Sequence, residues 1–492
     1  MAQVHIEVRP GAYRDSVSLL EVSRAISSSP GVEDAIVAMG TPLNVDLLRE
    51  LGFQLDQPSP NDLIIAIRGI DEVALINGLS AMAAEFAAID QRARSASGDG
   101  QLAPARSVGR AHDADLALIS VPGTGAFAEA MDALEAGQSV MLFSDNVPIW
   151  QEIILKDLAL SLDLIVMGPD CGTAVIGGVG LGFANVVRPG PIGIVAASGT
   201  GAQQVLALLD LAGVGITHCI GVGGRDLSKE VSARSTMSAL AALAEDPDTK
   251  TIVLISKPPA SEVAELVRSR TASISKPVVF ALLGEGAPDL TTATEEILKT
   301  IGVDPPDWPS WGEVPSLRAS GKYLRGLYSG GTICDEAMVI AATKLGPIRS
   351  NIPLRPEWRH DPFTESHEHT FIDFGDDAMT VGRAHPMIDS TLRIERLRRE
   401  LADPSCGVII MDVVLGYGAD ADPAPALASA ISEANILGQT TPVIISLIGS
   451  SGDPQGLNRQ AELLSRAGAF VTVSNATAVN IAISLIRMNE VS

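Results

Sequence analysis

Between Gly190 and Leu209 the chain reads GPIGIVAASGTGAQQVLALL. An apolar strand breaks into Ser198-Gly199-Thr200-Gly201, and a helical pattern follows at once. The first N–H groups of a helix have no internal partner, and the helix dipole favours negative charge there. Ser198, Gly199 and Thr200 are therefore candidate phosphate or carboxylate binders, the alternative being a tight turn that binds nothing. Gly223, Gly224, Arg225 and Asp226 follow a second apolar stretch. Arg225 has the planar fork for a phosphate or carboxylate, or else it forms a surface ion pair with Asp226 in a turn. In GRAHPMID, Arg383 is a candidate ligand contact and His385 a candidate general acid–base, or a loop hydrogen-bonder. Lys257 in SKPP suits phosphate neutralisation or a turn. Gly375 in FIDFGDDAMT is a further candidate for close approach to a ligand. Cys171 in GPDCG reads as a packing or pocket-lining thiol more readily than as a nucleophile, with Asp170 beside it as a polar contact. His367 and His369 flank Glu368 in a polar stretch that reads as a solvated loop, and no metal site is assigned. Gly40, Thr41 and Asn44 end a strand and open a helix, in a place suited to a small regulator or to completing an active site.

Short apolar strands alternating with helices must position these residues. Residues 1–95 alternate strand and helix as a small ferredoxin-like or ACT-like module. A Ser, Gly, Ala and Pro-rich linker from Arg92 to His112 follows it. ADLALISV, SVMLFS and LIVMG, separated by helices, predict a covered parallel sheet in a Rossmann-like domain over 108–187. Beyond it the chain repeats itself. IVAASGTGAQQVLAL has a counterpart in GLYSGGTICDEAMVIA, HCIGVGGRDLS in TFIDFGDDAMT, and KPVVFALLG in TPVIISLIG. Two flavodoxin-like domains are expected, 188–312 and 320–492. Each brings helix N-termini to a sheet's carboxyl edge, where open parallel sheets bind ligands. The fold class is α/β throughout.

The chain has 492 residues and a net charge of −24, which disfavours nucleic acid and anionic membrane as partners. No apolar run reaches the roughly 18 residues of a membrane span. No signal peptide is evident, and Cys171, Cys219, Cys334 and Cys406 form no CxxC pair. A reducing cytoplasm is expected.

GPDCG, RPGPIGIVAASGTGAQQV and GVGGRDLS resemble the α subunit of succinyl-CoA synthetase. SGGT, FIDFGDDAMT and IIMDVVLGYG resemble the carboxy-terminal domain of its β subunit. With the amino-terminal module and GRAHPMID, the chain is similar to the FdrA family over its full length. That resemblance implies a Rossmann-like domain of CoA-binding type and a phosphate between two helix N-termini. It carries the first N-terminus onto Ser198–Thr200 and the second onto LGYGAD, with Gly416 and Gly418. It also predicts a phosphohistidine after PVVFALLG, yet of the seven histidines none lies between His218 and His360. No P-loop motif is present either. The resemblance implies carbamoyl transfer between carbamoyl phosphate and oxamate, or cleavage of oxalurate with phosphate in allantoin breakdown. His385, Arg383 and Arg225 would be catalytic. No cofactor is required on that account, although CoA remains possible. The expected partners are a small anionic substrate and a separate protein subunit, in an oligomer. The enzymatic alternative is an acyl-CoA synthetase, and the non-enzymatic one a non-catalytic subunit.

Overall fold

The computed structural model describes residues 3–12, 14–55, 58–96, 114–315, 321–381 and 383–490. Most of the expected linker, including His112, lies outside them. The chain forms two compact units, 1–105 with 375–389, and 106–374 with 390–492.

In the first unit β1 (Gln3–Arg9), α1 (Ser16–Ser27), β2 (Val32–Met39), α2 (Pro42–Glu50), β3 (Leu63–Gly69) and α3 (Glu72–Ala96) follow in order. The strands form an antiparallel sheet in the order β1-β3-β2. The fourth strand of a ferredoxin-like module is absent among the described residues, and α3 takes its place in the chain. Alternation along β3 explains the two-sided core. Leu63, Ile65 and Ile67 pack with Leu19, Val22 and Met82, whereas Ile64 and Ala66 pack with Leu48 and Phe53. Contrary to the sequence expectation, one described helix has the length and composition to span a membrane. It is α3, with mean hydropathy 1.4 over Glu72–Arg92. Its Leu75, Leu79, Met82 and Phe86 pack on the core of this unit. Gly40, Thr41 and Asn44 serve the start of α2. The Thr41 hydroxyl accepts the Asn44 N–H, and Asn44 Nδ2 donates to Met39 O at 2.8 Å.

The second unit opens with β4 (Leu116–Ile119), α4 (Gly123–Glu135), β5 (Ser139–Leu142), α5 (Ile149–Ser161) and β6 (Val166–Met167). This middle sheet is parallel, in the order β4-β5-β6. A hairpin of β7 (Thr173–Ile176) and β8 (Val179–Gly182) leads into β9 (Pro189–Ala197), α6 (Gly199–Leu211) and β10 (Ile216–Gly221). Then come α7 (Arg234–Glu245), β11 (Thr251–Ser256), α8 (Ser261–Thr271), β12 (Val278–Leu282) and α9 (Leu290–Thr300). The second half holds β13 (Ser310–Trp311), β14 (Tyr323–Tyr328), α10 (Gly331–Leu345), β15 (Arg349–Ser350) and β16 (Thr370–Asp373). It continues with α11 (Thr391–Ala402), β17 (Cys406–Val414), α12 (Ala424–Ile436), β18 (Val443–Ile448), α13 (Leu457–Arg466), β19 (Phe470–Thr472) and α14 (Asn475–Glu490). The first sheet runs β12-β11-β9-β10-β7-β8 and the second β13-β19-β18-β17-β14-β16-β15. The parallel block β12-β11-β9-β10 is repeated as β18-β17-β14-β16, so the internal repeat is a repeat of topology.

Buried Glu336 on α10 accepts the Leu290 N–H at the start of α9 and the Asn475 Nδ2 at the start of α14, both at 2.6 Å. It joins the two halves. Burial pushes its carboxyl up to about 7, with the two donors opposing the shift. The folded chain therefore binds this proton more tightly than the unfolded chain. Its contribution to stability is fully present below the ordinary carboxylate range and falls as pH rises to about 7, by of order 3 kcal/mol. The thermal midpoint is expected to decline between pH 5 and 7.5. In Glu336→Gln the decline should flatten, and an unchanged decline would assign it to other groups.

Candidate functional site

The candidate site grows from the ends of β9 and β14. Ser198 is extended (φ −162°) and caps α6 by accepting the Gly201 N–H at 3.0 Å. Its Oγ donates to Thr332 Oγ1, in the first turn of α10, at 2.8 Å. The two helix N-termini thus abut. A Cβ on Gly330 would meet the Thr200 side chain at 2.5–2.7 Å, so only glycine lets the turns approach this closely. Ser198, Thr200 and Gly201 are buried, while Gly199 keeps solvent access. Beside Gly199 a Cβ would meet only Thr173 Oγ1, at 3.4 Å.

The two N-termini differ in what surrounds them. At α10, Asp373 Oδ2 lies 2.8 Å and Lys257 Nζ 3.2 Å from where a Gly331 Cβ would stand, and Lys257 pairs with Asp335 Oδ2 at 3.3 Å. Burial opposes the Lys257 charge, but Asp335, Asp373 and Asp170 outweigh it and raise its pKa. Burial raises Asp335, and Lys257 partly offsets that. The positive end of α10 therefore faces the protein's own carboxylates.

The repeat shows what takes these places at α6. Gln203 and Asp335 are each the fifth residue of their helix. Strand register equates Asp373 with Gly221, through the pairs Asp373–Tyr328 and Gly221–Ala196. It equates Lys257 with Val414, each three residues beyond the pairs Leu254–Val195 and Met411–Leu327. The charged triad of α10 thus becomes Gln203, Gly221 and Val414 at α6. Gln203 is 1% exposed, and neither Nε2 nor Oε1 has a hydrogen-bond partner among the described residues. A side chain at this position leans back toward the helix N-terminus. The open turn at Gly199 and this unused amide make α6 the better anion end. Sequence reasoning passed over Gln203, Asp335 and Asp373, although the alignment of the two halves pairs the first two.

Several expected site residues have other work. Arg225 ion-pairs with Glu152 Oε2 at 2.9 Å and donates to Val147 O at 2.7 Å, not to Asp226. Asp226 is fully buried and accepts from Lys156 Nζ at 2.7 Å. It also caps α7 through the Ser235 and Thr236 N–H groups. A Cβ on Gly223 would strike Pro169 O at 2.5 Å, so this glycine permits loop contact, whereas Gly224 faces open space. Burial pushes the Cys171 thiol up to about 12, and its Sγ fills the space beside Gly221. It is a packing residue. Asp170 is exposed and contributes its charge near Lys257.

Gly416 and Gly418 do not present a second anion site. Both have positive φ, and their loop bridges to the β8 end through Ala184 and Tyr417. The Gly416 N–H donates to Gln455 Oε1 at 3.1 Å. The N-terminus that meets α6 is that of α10. Gly375, Arg383 and His385 belong to the first unit, whereas the Ser198 turn belongs to the second. There His385 Nδ1 accepts the Met387 N–H at 3.3 Å, Arg383 pairs with Asp389 at 3.7 Å, and Arg24 Nη2 donates to Ile388 O. These contacts close a local turn and fasten it to α1. Burial holds His360 below the ordinary histidine range. No group of three or more metal-ligating side chains occurs among the described residues.

Residues 327–485 match a family model described as CoA-ligase, and residues 1–103 match one described as AllF, heavy metal-associated domain. Residues 1–103 contain no cysteine, so they lack the thiolates that soft metals select. The chain is 39% identical to Escherichia coli (strain K12) protein YahF, over 96% of each chain. It is 29% identical to a Trichomonas vaginalis succinate–CoA ligase [ADP-forming] subunit alpha-2, over 36% of this chain and 58% of that subunit. A Ca. Korarchaeum cryptofilum dinucleotide-forming acetyl-coenzyme A synthetase 1, in complex with phosphate and ADP, aligns with TM-score 0.31 and 16% identity. That alignment covers 80% of this chain and 88% of that one. The family model and the full-length relative carry the names AllF and YahF. The CoA-ligase family match and the succinate–CoA ligase relative overturn the expected carbamoyl transfer with oxamate.

Proposed function

The chain belongs to the family of YahF, with an AllF-type amino-terminal domain and a succinyl-CoA synthetase-like CoA-ligase domain, and from that premise we propose that it catalyses acyl transfer between CoA and phosphate. The observation that carries this reading is the CoA-ligase match over residues 327–485. A phosphate at the N-terminus of α6 is held by the free N–H groups of Gly199 and Thr200, with Gln203 beside them. A phosphate oxygen attacks the thioester carbonyl, the C–S bond breaks, and the products are an acyl phosphate and CoA thiol. Fixed N–H donors stabilise charge that develops in the transition state without reorganising. This exchange needs neither a phosphohistidine nor a nucleotide. It is consistent with the lack of histidine between His218 and His360 and of a P-loop. An ATP-dependent step would belong to a separate subunit.

Arsenate in place of phosphate makes the exchange irreversible, because the acyl arsenate hydrolyses. The purified protein is expected to release CoA thiol from acetyl-CoA or succinyl-CoA to an equilibrium level with phosphate and to completion with arsenate, in neither case with ATP. Calorimetric CoA binding without thiol release would instead make the chain a CoA-binding subunit. Absence of both CoA binding and thiol release would overturn the proposal.

A further inference from the structure

The sheet of the first unit, ordered β1-β3-β2, has two edges, and only one of them is guarded. At β2 the register shifts between Val32 and Asp34, and the Val37 N–H donates to Ser23 Oγ of α1 at 2.8 Å. Such irregularities and side-chain partners blunt an edge against further pairing. β1 has neither. It pairs with β3 residue for residue, from Gln3–Gly69 to Arg9–Leu63. Among the described residues no other hydrogen bond reaches the backbone of Gln3–Val8. Val4 and Val8 are 49% and 39% exposed. They share a face with Ile6, which packs against the Val45, Leu48 and Phe53 core.

We propose that the outer edge of β1 is a self-association surface, to which β1 of a second copy adds antiparallel and joins two three-stranded sheets into one of six strands. In strand addition the main-chain bonds supply affinity and the side chains set the register. The strand reads QVHIEVR and complements itself about Ile6. Centred there, Gln3 stands opposite Arg9, Val4 opposite Val8, His5 opposite Glu7, and Ile6 opposite its own copy. All seven residues pair, apolar side chains meet apolar ones, and the Glu7 carboxylate meets an imidazole. Centring on Glu7 instead would set two carboxylates opposite each other, a destabilising pair. Residues 97–113, which follow α3, hold three glycines, a proline and only two large apolar residues, so they match this edge less well than β1 itself does.

The helix that covers β1 fits the same pairing. The Arg9 guanidinium of β1 lies 5.8 Å from the Phe86 ring of α3. α3 has mean hydropathy 1.4 over Glu72–Arg92, yet few of its residues are buried. Its Arg92 reaches Glu21 of α1 at 3.1 Å, which marks the side toward α1. Ile76 and Ala83 stand about half a turn around the helix from Arg92, on the side away from α1. Ile76 is 56% exposed and Val73, one turn before it, 63%. Strand addition at β1 would bring the second α3 toward this apolar side, antiparallel to the first. The surface lies in the first unit and is independent of the acyl transfer proposed above.

The test is sedimentation velocity of the full chain over a range of concentrations at physiological salt. The parent is expected to form an even-numbered assembly. Val4→Lys with Val8→Lys sets lysine opposite lysine twice and should halve the assembly's mass at equal concentration. Val4→Lys with Val8→Glu sets lysine opposite glutamate and should restore it. Both positions are exposed, so circular dichroism and the thermal midpoint of the monomer should change little. The four native cysteines are buried, so mild oxidation should link Val4→Cys chains to Val8→Cys chains in a mixture and leave either variant alone unlinked. A parent that sediments as a monomer at every concentration, or an assembly that the double lysine variant leaves intact, would overturn the proposal. Failure of Val4→Lys with Val8→Glu to restore the mass, or linkage of Val4→Cys chains alone, would overturn the pairing about Ile6.

Discussion

Gly199→Val is expected to reduce arsenate-dependent thiol release by at least about a hundredfold, on the scale of losing one preorganised oxyanion donor. Gly199 is the solvent-accessible residue of an otherwise buried turn. A Cβ there meets only Thr173 Oγ1 at 3.4 Å, an ordinary contact, so the fold accommodates a side chain. Valine would then occupy the space in front of the α6 N–H groups. The thermal midpoint should move little, and calorimetry should show phosphate affinity lost while CoA binding is kept. Retention of both phosphate binding and thiol release would place the anion elsewhere. Gly330→Val makes a useful contrast, because its Cβ would collide with Thr200 at 2.5–2.7 Å and force the helix N-termini apart. That variant should lose stability as well as activity.

The largest effect on stability is expected at Lys156. Its ammonium is buried with Glu152 Oε1 at 2.8 Å, Asp226 Oδ1 at 2.7 Å and Val222 O at 3.0 Å. These contacts join α5, beside the middle sheet, to the loop that precedes α7. Lys156→Met leaves two buried carboxylates with one fewer cation, and breaking such a pair costs about 3–5 kcal/mol. The calorimetric transition of this region should fall by upward of about 6 °C. Glu152 retains Arg225, so Asp226 carries most of the penalty. Adding Asp226→Asn should recover part of the loss, since an asparagine oxygen can still accept from Thr236 at the start of α7. If Lys156→Met melts where the parent chain melts, the pair is not what joins α5 to the loop before α7.

The legible part of this fold is local. Apolar strands with a period near two, and helices with a period near 3.6, mark β9, α6, β14 and α10 because each segment must bury one face. The repeat of those segments implied a repeat of topology, and the strand orders agree. The Ser198 turn was legible because strand, glycine turn and helix stand next to one another in the chain. The length of α3 was harder to read, because polar residues interrupt its apolar run although its average is high. The carbamoyl assignment failed for a different reason. The motifs that support the turns are shared across a fold, and the chemistry carried on them is not.

Sequence alone determined the α/β class, the duplicated halves, the acidic surface and the glycine-bearing turn at the start of α6. These follow from periodicity, composition and adjacent residues. Tertiary structure decided which charges meet. It paired Arg225 with Glu152, set Asp373 and Lys257 at α10, left Gln203 buried with no hydrogen-bond partner among the described residues, and grouped residues 375–389 with the first unit. Such pairings depend on burial and on distances of a few ångströms between residues far apart in the chain, for which sequence spacing holds no signal.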